Sequence, residues 1–280
     1  MKKTFVLFAL FLGVVSAWSQ SKTGFTYGYE KGRTYRYLTI LESTMTMDMA
    51  GQSMSNETSG RMLLALKPIE INPDGGITFE AAFDSMVMRM KGMGMDTTLV
   101  LTDLIGKRAK ILTNPYGRIQ SITPIDSVTK GSRLMQMMDA DPQMFYRRIL
   151  PDLPDVPLTI GEKWMKTYPD TVKNAMMEIV VTPNLEYTLT AKETNAGVDC
   201  WRLHYTGPLT VAGKGSRMGA EFFIEGDGKA NGSIFYDADK KIIVSAEGSS
   251  EQLMNIAVTG GANMTMSQSQ TTHHKMSLLP

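Results

Sequence analysis

Thr34-Tyr35-Arg36-Tyr37-Leu38-Thr39-Ile40-Leu41-Glu42-Ser43-Thr44-Met45-Thr46-Met47-Asp48-Met49-Ala50 reads as one strand from end to end. The odd positions carry Tyr35, Tyr37, Thr39, Leu41, Ser43, Met45, Met47 and Met49. The even positions include Arg36, Glu42, Thr44, Thr46 and Asp48. A period of two held over so many residues belongs to a sheet with one sheltered face. The stretch is also long, since strands usually run to about 5–6 residues.

Outward from it the pattern repeats. Ala50-Gly51-Gln52 turns the chain, and a return strand puts Met54, Asn56, Thr58, Gly60, Met62, Leu64 and Leu66 on one side. Asn72-Pro73-Asp74-Gly75-Gly76 is a turn, with proline presetting φ and glycine supplying positive φ. Ile77, Phe79, Ala81 and Phe83 begin the next strand. The apolar set then slips by one to Met86, Met88 and Met90, which a β-bulge near Asp84-Ser85 explains. Arg108 to Leu112 and Arg118 to Ile122 flank Asn114-Pro115-Tyr116-Gly117 as a hairpin.

Asp126 to Ile149 carries the only helical spacing: Leu134, Met137 and Met138, then Met144, Phe145, Arg148 and Ile149. Asp141-Pro142 breaks it, so the prediction is a short helical pair. Leu150-Pro151-Asp152-Leu153-Pro154-Asp155-Val156-Pro157 follows as an extended strap, because each proline pushes its predecessor out of the helical region. Beyond it the chain is strand-rich again. The last strand opens with Met264 and Met266 and is polar afterwards, which suits an exposed edge or an open face.

Gly32-Arg33-Thr34-Tyr35 and Gly161-Glu162-Lys163-Trp164 share a glycine, two polar residues and an aromatic at a strand start. The expected fold class is mainly β: two similar antiparallel open sheets or half-barrels with a helical pair between the halves. The expected divisions are a signal peptide at 1–17, a first β-rich half at 18–149, the strap at 150–160 and a second half at 161–280.

Lys2 and Lys3, the apolar run Phe5 to Val15 and the small residues before Ala17 have the form of a cleaved signal peptide. The run is too short for a membrane-spanning helix, which needs about 20 residues. An exported protein, periplasmic or extracellular, is expected. The formal net charge of +1 offers no field for nucleic acid. The single cysteine, Cys200, rules out an intrachain disulfide framework.

The Gly-x-x-aromatic strand starts, the proline strap running into Gly161-Glu162-Lys163-Trp164, and the Gly228…Phe235-Tyr236-Asp237 hairpin form a recognisable set behind a signal peptide. The set resembles an uncharacterised family of secreted, β-rich bacterial proteins of the Bacteroidetes type. More loosely it is similar to the open β-barrels of periplasmic lipoprotein carriers. The resemblance implies a fold and a compartment and carries no catalytic residue with it.

Methionine is over-represented, with 23 residues against ten each of Phe and Tyr. Met45, Met47 and Met49, then Met86, Met88 and Met90, then Met264 and Met266 form stripes at strand spacing. Three readings compete: a core filled by a flexible side chain, an adaptable apolar groove for a lipid-like ligand, and a soft Cu(I) site completed by His204, His273 or His274. His273-His274 is a poor metal pair, since strand neighbours point to opposite faces. Cys200 and His204 would lie about 13 Å apart along a strand, too far for a nucleophile–base pair. Gly213-x-Gly215 and Gly226-x-Gly228 open no apolar helix after a strand and read as hairpin glycines rather than phosphate loops. The expected function is therefore non-enzymatic binding or carriage of a hydrophobic ligand on the methionine-lined face, with no cofactor. The alternatives are an envelope interaction protein without ligand and Cu(I) binding.

Overall fold

The computed structural model describes residues 22–49, 51–92, 94–128, 142–173, 177–217, 219–260 and 263–280. The predicted signal segment lies outside these residues, as does 129–141 from the predicted helical pair.

Thirteen strands among the described residues form one antiparallel sheet. They are β1 (Tyr35–Met49), β2 (Gln52–Ile71), β3 (Ile77–Gly92), β4 (Met95–Val100), β5 (Arg108–Thr113), β6 (Ile119–Pro124), β7 (Lys163–Thr167), β8 (Asp170–Lys173), β9 (Met177–Asn195), β10 (Val198–Arg217), β11 (Ala220–Asp237), β12 (Ile242–Thr259) and β13 (Met264–Leu278). The spatial order is β6-β5-β3-β2-β1-β13-β12-β11-β10-β9-β7, with β4 added beside β3 and β8 beside β9. The sheet does not close.

The expected strands, turns and alternation are present. Ser85 faces Leu63 and Phe83 faces Leu64, so Asp84 is the extra residue of a bulge at the predicted place. Three expectations need correction. The two halves do not make two sheets: β1 pairs with β13 along its length, from Tyr37–Leu278 to Asp48–Ser267, and welds them into one. The polar β13 is accordingly a central strand, not an edge. Its hydroxyl and amide side chains bond across the ladder, as Ser43 to Thr272 and Gln270 to Ser43 do. Among the described residues there is no helical pair either: the part with Leu134, Met137 and Met138 lies outside them, and the part after Asp141 is a single 3-10 turn, Pro142–Tyr146, followed by Ile149 and Leu150, which are buried in the core as the chain enters the strap.

The core lies against one face of the sheet, called here the inner face. Residues directly opposite in antiparallel strands share a face, so Tyr37 on β1 places Leu64 of β2 and Leu278 of β13 on the inner side. Two extended segments cross that face and fill it. The first carries Phe25, Tyr27 and Tyr29, all buried. The second is the strap, whose Leu153 and Leu158 are buried as well. The segments pair with each other at Thr23–Leu158. The polar ends of the tyrosines are satisfied: Tyr29 and Tyr37 hydroxyls lie 2.6 Å apart, Tyr37 donates to Ile243 O at 3.0 Å, and Tyr27 donates to Pro151 O at 2.7 Å. The strap is thus part of the core rather than a spacer. Gly32 and Gly161, at φ 84° and 86°, take the same left-handed conformation before the inward Tyr35 and Trp164.

Candidate functional site

The strands outrun their core. On β10 the inner-face residues Leu203 and Tyr205 belong to the main core, while Leu209, Val211, Gly213 and Gly215 continue beyond it. Register identifies the row that caps the core: Tyr187, Tyr205, Gly232, Gly248, His274, Leu41, Gly60 and Met88, running from β9 across to β3. From Tyr205 to Gly215 is about 33 Å of strand at 3.3 Å per residue. We call this stretch the upper inner face.

Its composition is one-sided. Between the Tyr205 row and the Gly215 row, the inner positions of eight adjacent strands (β9 to β13 and β1 to β3) hold no Asp, Glu, Lys or Arg. The outer positions of the same segments carry Glu42, Asp48, Glu57, Arg89, Lys91, Lys214, Glu225, Asp227, Lys229 and Glu251, among others. Along β2 from Met54 and along β11 the inner side chains are half-buried or buried where their outer neighbours are exposed, whereas Met177 and Met264 at the top of the face are exposed. No described element lies across them. Packing of Leu209, Val211, Ile224 and Met254 on one another accounts for part of that shelter. Glycine is required where the strands approach closely: a Cβ on Gly228 would stand 2.1 Å from the Glu251 carbonyl of the neighbouring strand.

The apolar residues fall into two walls. On β9 to β12, Leu209, Val211, Ile224 and Met254 form a second buried cluster, with Ile179, Val181, Ala230 and Ile256 packed against it. On β3 to β13 the wall is thioether and neutral polar. Met47 faces Met54 and Gln268, Met45 faces Asn56 and Gln270, Met90 faces Thr58, and Met266 faces Ile256. Of the residues singled out in sequence, Met45, Met47, Met88, Met90, Met264 and Met266 thus share one face of one sheet. Met86 does not line the upper face. At 1% exposure it sits one row lower, in the main core, because the Asp84 bulge places it opposite Met62. Met49 takes the same register position facing Gln52, and its side chain lies outside the described set.

At the capping row, the Tyr205 ring reaches over two strands. Its hydroxyl lies 2.4 Å from where a Gly232 Cβ would be and 2.1 Å from where a Gly248 Cβ would be; the His274 ring lies 2.7 Å from the second point. The two glycines leave room for the phenol, and the phenol covers their bare backbone. Burial pushes the Tyr205 pKa up to about 12. His274 is held below the ordinary histidine value. Burial among the strands is the main cause, followed by Arg148 and by His273.

Sequence reasoning missed the charges at this end. Lys166 is buried on the inner face of β7, paired with Asp152 of the strap, and sits over the Tyr168 ring at 4.7 Å. Burial pulls its pKa down, and Asp152 opposes the shift. Arg148 bonds Asp170 of β8 at 2.7 Å and lies 5.8 Å from the Tyr168 ring centre. Its charge acts on Tyr187, Tyr205 and His274. No motif surrounds either base, and the one available signal was Asp152 inside the strap.

The remaining candidates separate. His273 is on the outer face and His274 on the inner, as strand alternation requires. His204 is on the outer face, bordering an open depression of about 520 Å³ with Arg202, Glu247 and Lys275. Cys200 is fully buried with Phe235 and Val244. Among the described residues no three His, Cys, Asp or Glu side chains form a metal cluster, and no helix is long and apolar enough to cross a membrane.

No protein-family model matches the chain, and no curated protein matches it. Among solved structures it superposes on an outer membrane channel from Pseudomonas putida F1 (10% identity, 93% of this chain and 100% of that one, TM-score 0.28). It also superposes on OpdQ of Pseudomonas aeruginosa (7% identity, 88% and 99%, TM-score 0.28) and on Salmonella typhi OmpF (8% identity, 89% and 98%, TM-score 0.25). At such scores the likeness is one of long antiparallel strands and carries no conclusion about what this chain does.

Proposed function

We propose that this chain is an exported, non-enzymatic protein that binds or carries a lipid-like ligand on its upper inner face. The observation that carries the reading is the absence of formal charge from the inner positions of eight adjacent strands, while the outer positions of β1, β3 and β11 carry Glu42, Asp48, Arg89, Lys91, Glu225, Asp227 and Lys229. A sheet face of that composition needs an apolar partner, since water is a poor one for it. In the lower half the strap and the Phe25–Tyr29 segment are that partner; in the upper half Leu209, Val211, Ile224 and Met254 pack on one another, which leaves the half-buried thioethers of β1, β3 and β13 as the face to be covered. Thioether side chains suit the role, because methionine re-packs around varied shapes. The resemblance to secreted β-rich proteins and to lipoprotein carriers is consistent with this reading.

A second reading, an envelope interaction protein with no ligand, draws on the filled lower half and on Met86 and Met276 being plain core residues. Native mass spectrometry of the purified protein separates the two. The carrier reading predicts a bound species of lipid mass that organic extraction removes. A single apo mass, together with no uptake of a long-chain probe by extracted protein, would favour the second.

A further inference from the structure

Met47 stands at the centre of a thioether group near the top of β1. It faces Met54 of β2 directly. Met45 lies two residues before it, on the same face of the same strand. On its other side Met47 faces Gln268 of β13, and Met266, two residues from Gln268, is its diagonal neighbour. Directly opposed Cβ atoms lie about 5 Å apart and diagonal ones about 7–8 Å. Each methionine carries its sulfur outward from Cβ on a flexible arm, so three of these thioethers can meet at one point above the sheet. All four side chains are half-buried, while the outward Asp48, Ser53 and Ser55 beside them are exposed. Core filling does not explain the group. Met62 and Met88 pack against the main core, whereas among the described residues none of these four belongs to a buried cluster or packs against one. The sulfurs are sheltered by their strands without being sealed into an interior.

The donors around this group decide which ion it takes. The inner positions here carry no carboxylate. The inner imidazole of β13, His274, is four residues from Gln270, which faces Met45, so it lies about 13 Å along the strand from the Met45 row. Cys200 is enclosed elsewhere, with Phe235 and Val244. Oxygen ligands suit Mg, Ca and Mn, and imidazole suits Zn; a set of thioethers alone selects Cu(I). The neutrality of the set points the same way, since no side chain there offsets a second positive charge. We infer that Met45, Met47 and Met54 form a site for a soft monovalent cation, Cu(I), with Met266 as the adjacent fourth thioether. The site goes beyond the carrier reading and does not depend on it. Leucine in place of these methionines removes the sulfur donors and keeps an apolar surface of similar volume, so the two can be separated.

The test titrates Cu(I) into the purified protein against the chromophoric chelator bicinchoninate, without oxygen and with ascorbate present. The natural chain is expected to take Cu(I) from the chelator. The triple variant M45L/M47L/M54L is expected to bind at least about a hundredfold more weakly, since it loses every proposed ligand. M165L, which changes a methionine exposed on the outer side of β7, is expected to bind as the natural chain does. X-ray absorption at the copper edge should show sulfur neighbours alone. Thermal unfolding checks that the triple variant is folded; if it is not, the absorption spectrum of the natural chain decides. No transfer of Cu(I) from the chelator overturns the site. So does an unchanged affinity in the folded triple variant, or a copper shell made of nitrogen and oxygen. Uptake of a long-chain probe is measured on the same samples. Copper binding without probe uptake keeps this site and removes the carrier reading, and probe uptake without copper binding removes this site alone.

Discussion

The Tyr205 hydroxyl and the His274 ring both crowd the point where Gly248 would carry a Cβ, at 2.1 and 2.7 Å, two strands' width from where Tyr205 leaves the backbone. This row marks the boundary between the packed lower half of the sheet and the face above it. Gly248→Ala would put a methyl 2.1 Å from the Tyr205 oxygen. Because Tyr205 is 9% exposed, the ring has little room to yield. The expected cost is about 1–3 kcal/mol by urea unfolding, as for other overpacked sites. Combining it with Tyr205→Leu should cost less than the sum of the two single changes.

The methionines divide by row. Met86→Ala removes a core side chain and should cost about 2–5 kcal/mol. Met45→Gln and Met47→Gln change half-buried positions on the upper face and should shift stability by under about 1 kcal/mol. Affinity for a long-chain probe should behave in the opposite way. It falls in the two glutamine variants and is retained by whatever fraction of Met86→Ala stays folded.

Cys200 is enclosed by Phe235 and Val244, and burial pushes its thiol up to about 11, with Asp237 and Asp199 adding to the shift. Native protein at mildly alkaline pH should react with a thiol reagent far more slowly than urea-unfolded protein does. Fast native labelling would show that this part of the sheet opens readily.

The buried phenols set an alkaline limit. Burial raises Tyr27, Tyr29, Tyr37 and Tyr187 above the ordinary value of 10.0. A group whose folded value lies above its unfolded value favours the fold fully below the unfolded pKa and loses that contribution as pH rises past it. Stability should therefore decline above a pH of about 10. Phenolate absorbance should show several of the ten tyrosines ionising only together with unfolding.

Alternation along Tyr35–Met49 was enough to read that strand and its sheltered face, and alternation along Ile77–Met90 the slip at Asp84, because period two is a local property of the backbone. Pairing between the first and last strands was not legible. Nothing in the polar run Ser267–Thr272 says that its partner is Ser43–Asp48, more than two hundred residues earlier. The described part of the helical pair misled for a related reason: apolar spacing at Met144, Phe145, Arg148 and Ile149 reflects a single 3-10 turn followed by burial of Ile149 in the core, and not a longer helix. Within the candidate site, the methionine stripes were visible and Arg148 was not. A lone base in a turn acquires meaning only when the fold brings it to Asp170 and the Tyr168 ring.

The position of the ligand is the claim on which the rest depends. Photo-crosslinking with a long-chain diazirine probe, followed by peptide mapping, reads it directly. The account predicts adducts on the upper inner positions, Met45 and Met47 of β1, Ile224 of β11, and Met254 and Ile256 of β12. Adducts confined to exposed outer residues such as Phe223 and Leu253, or spread evenly over both faces, would contradict it.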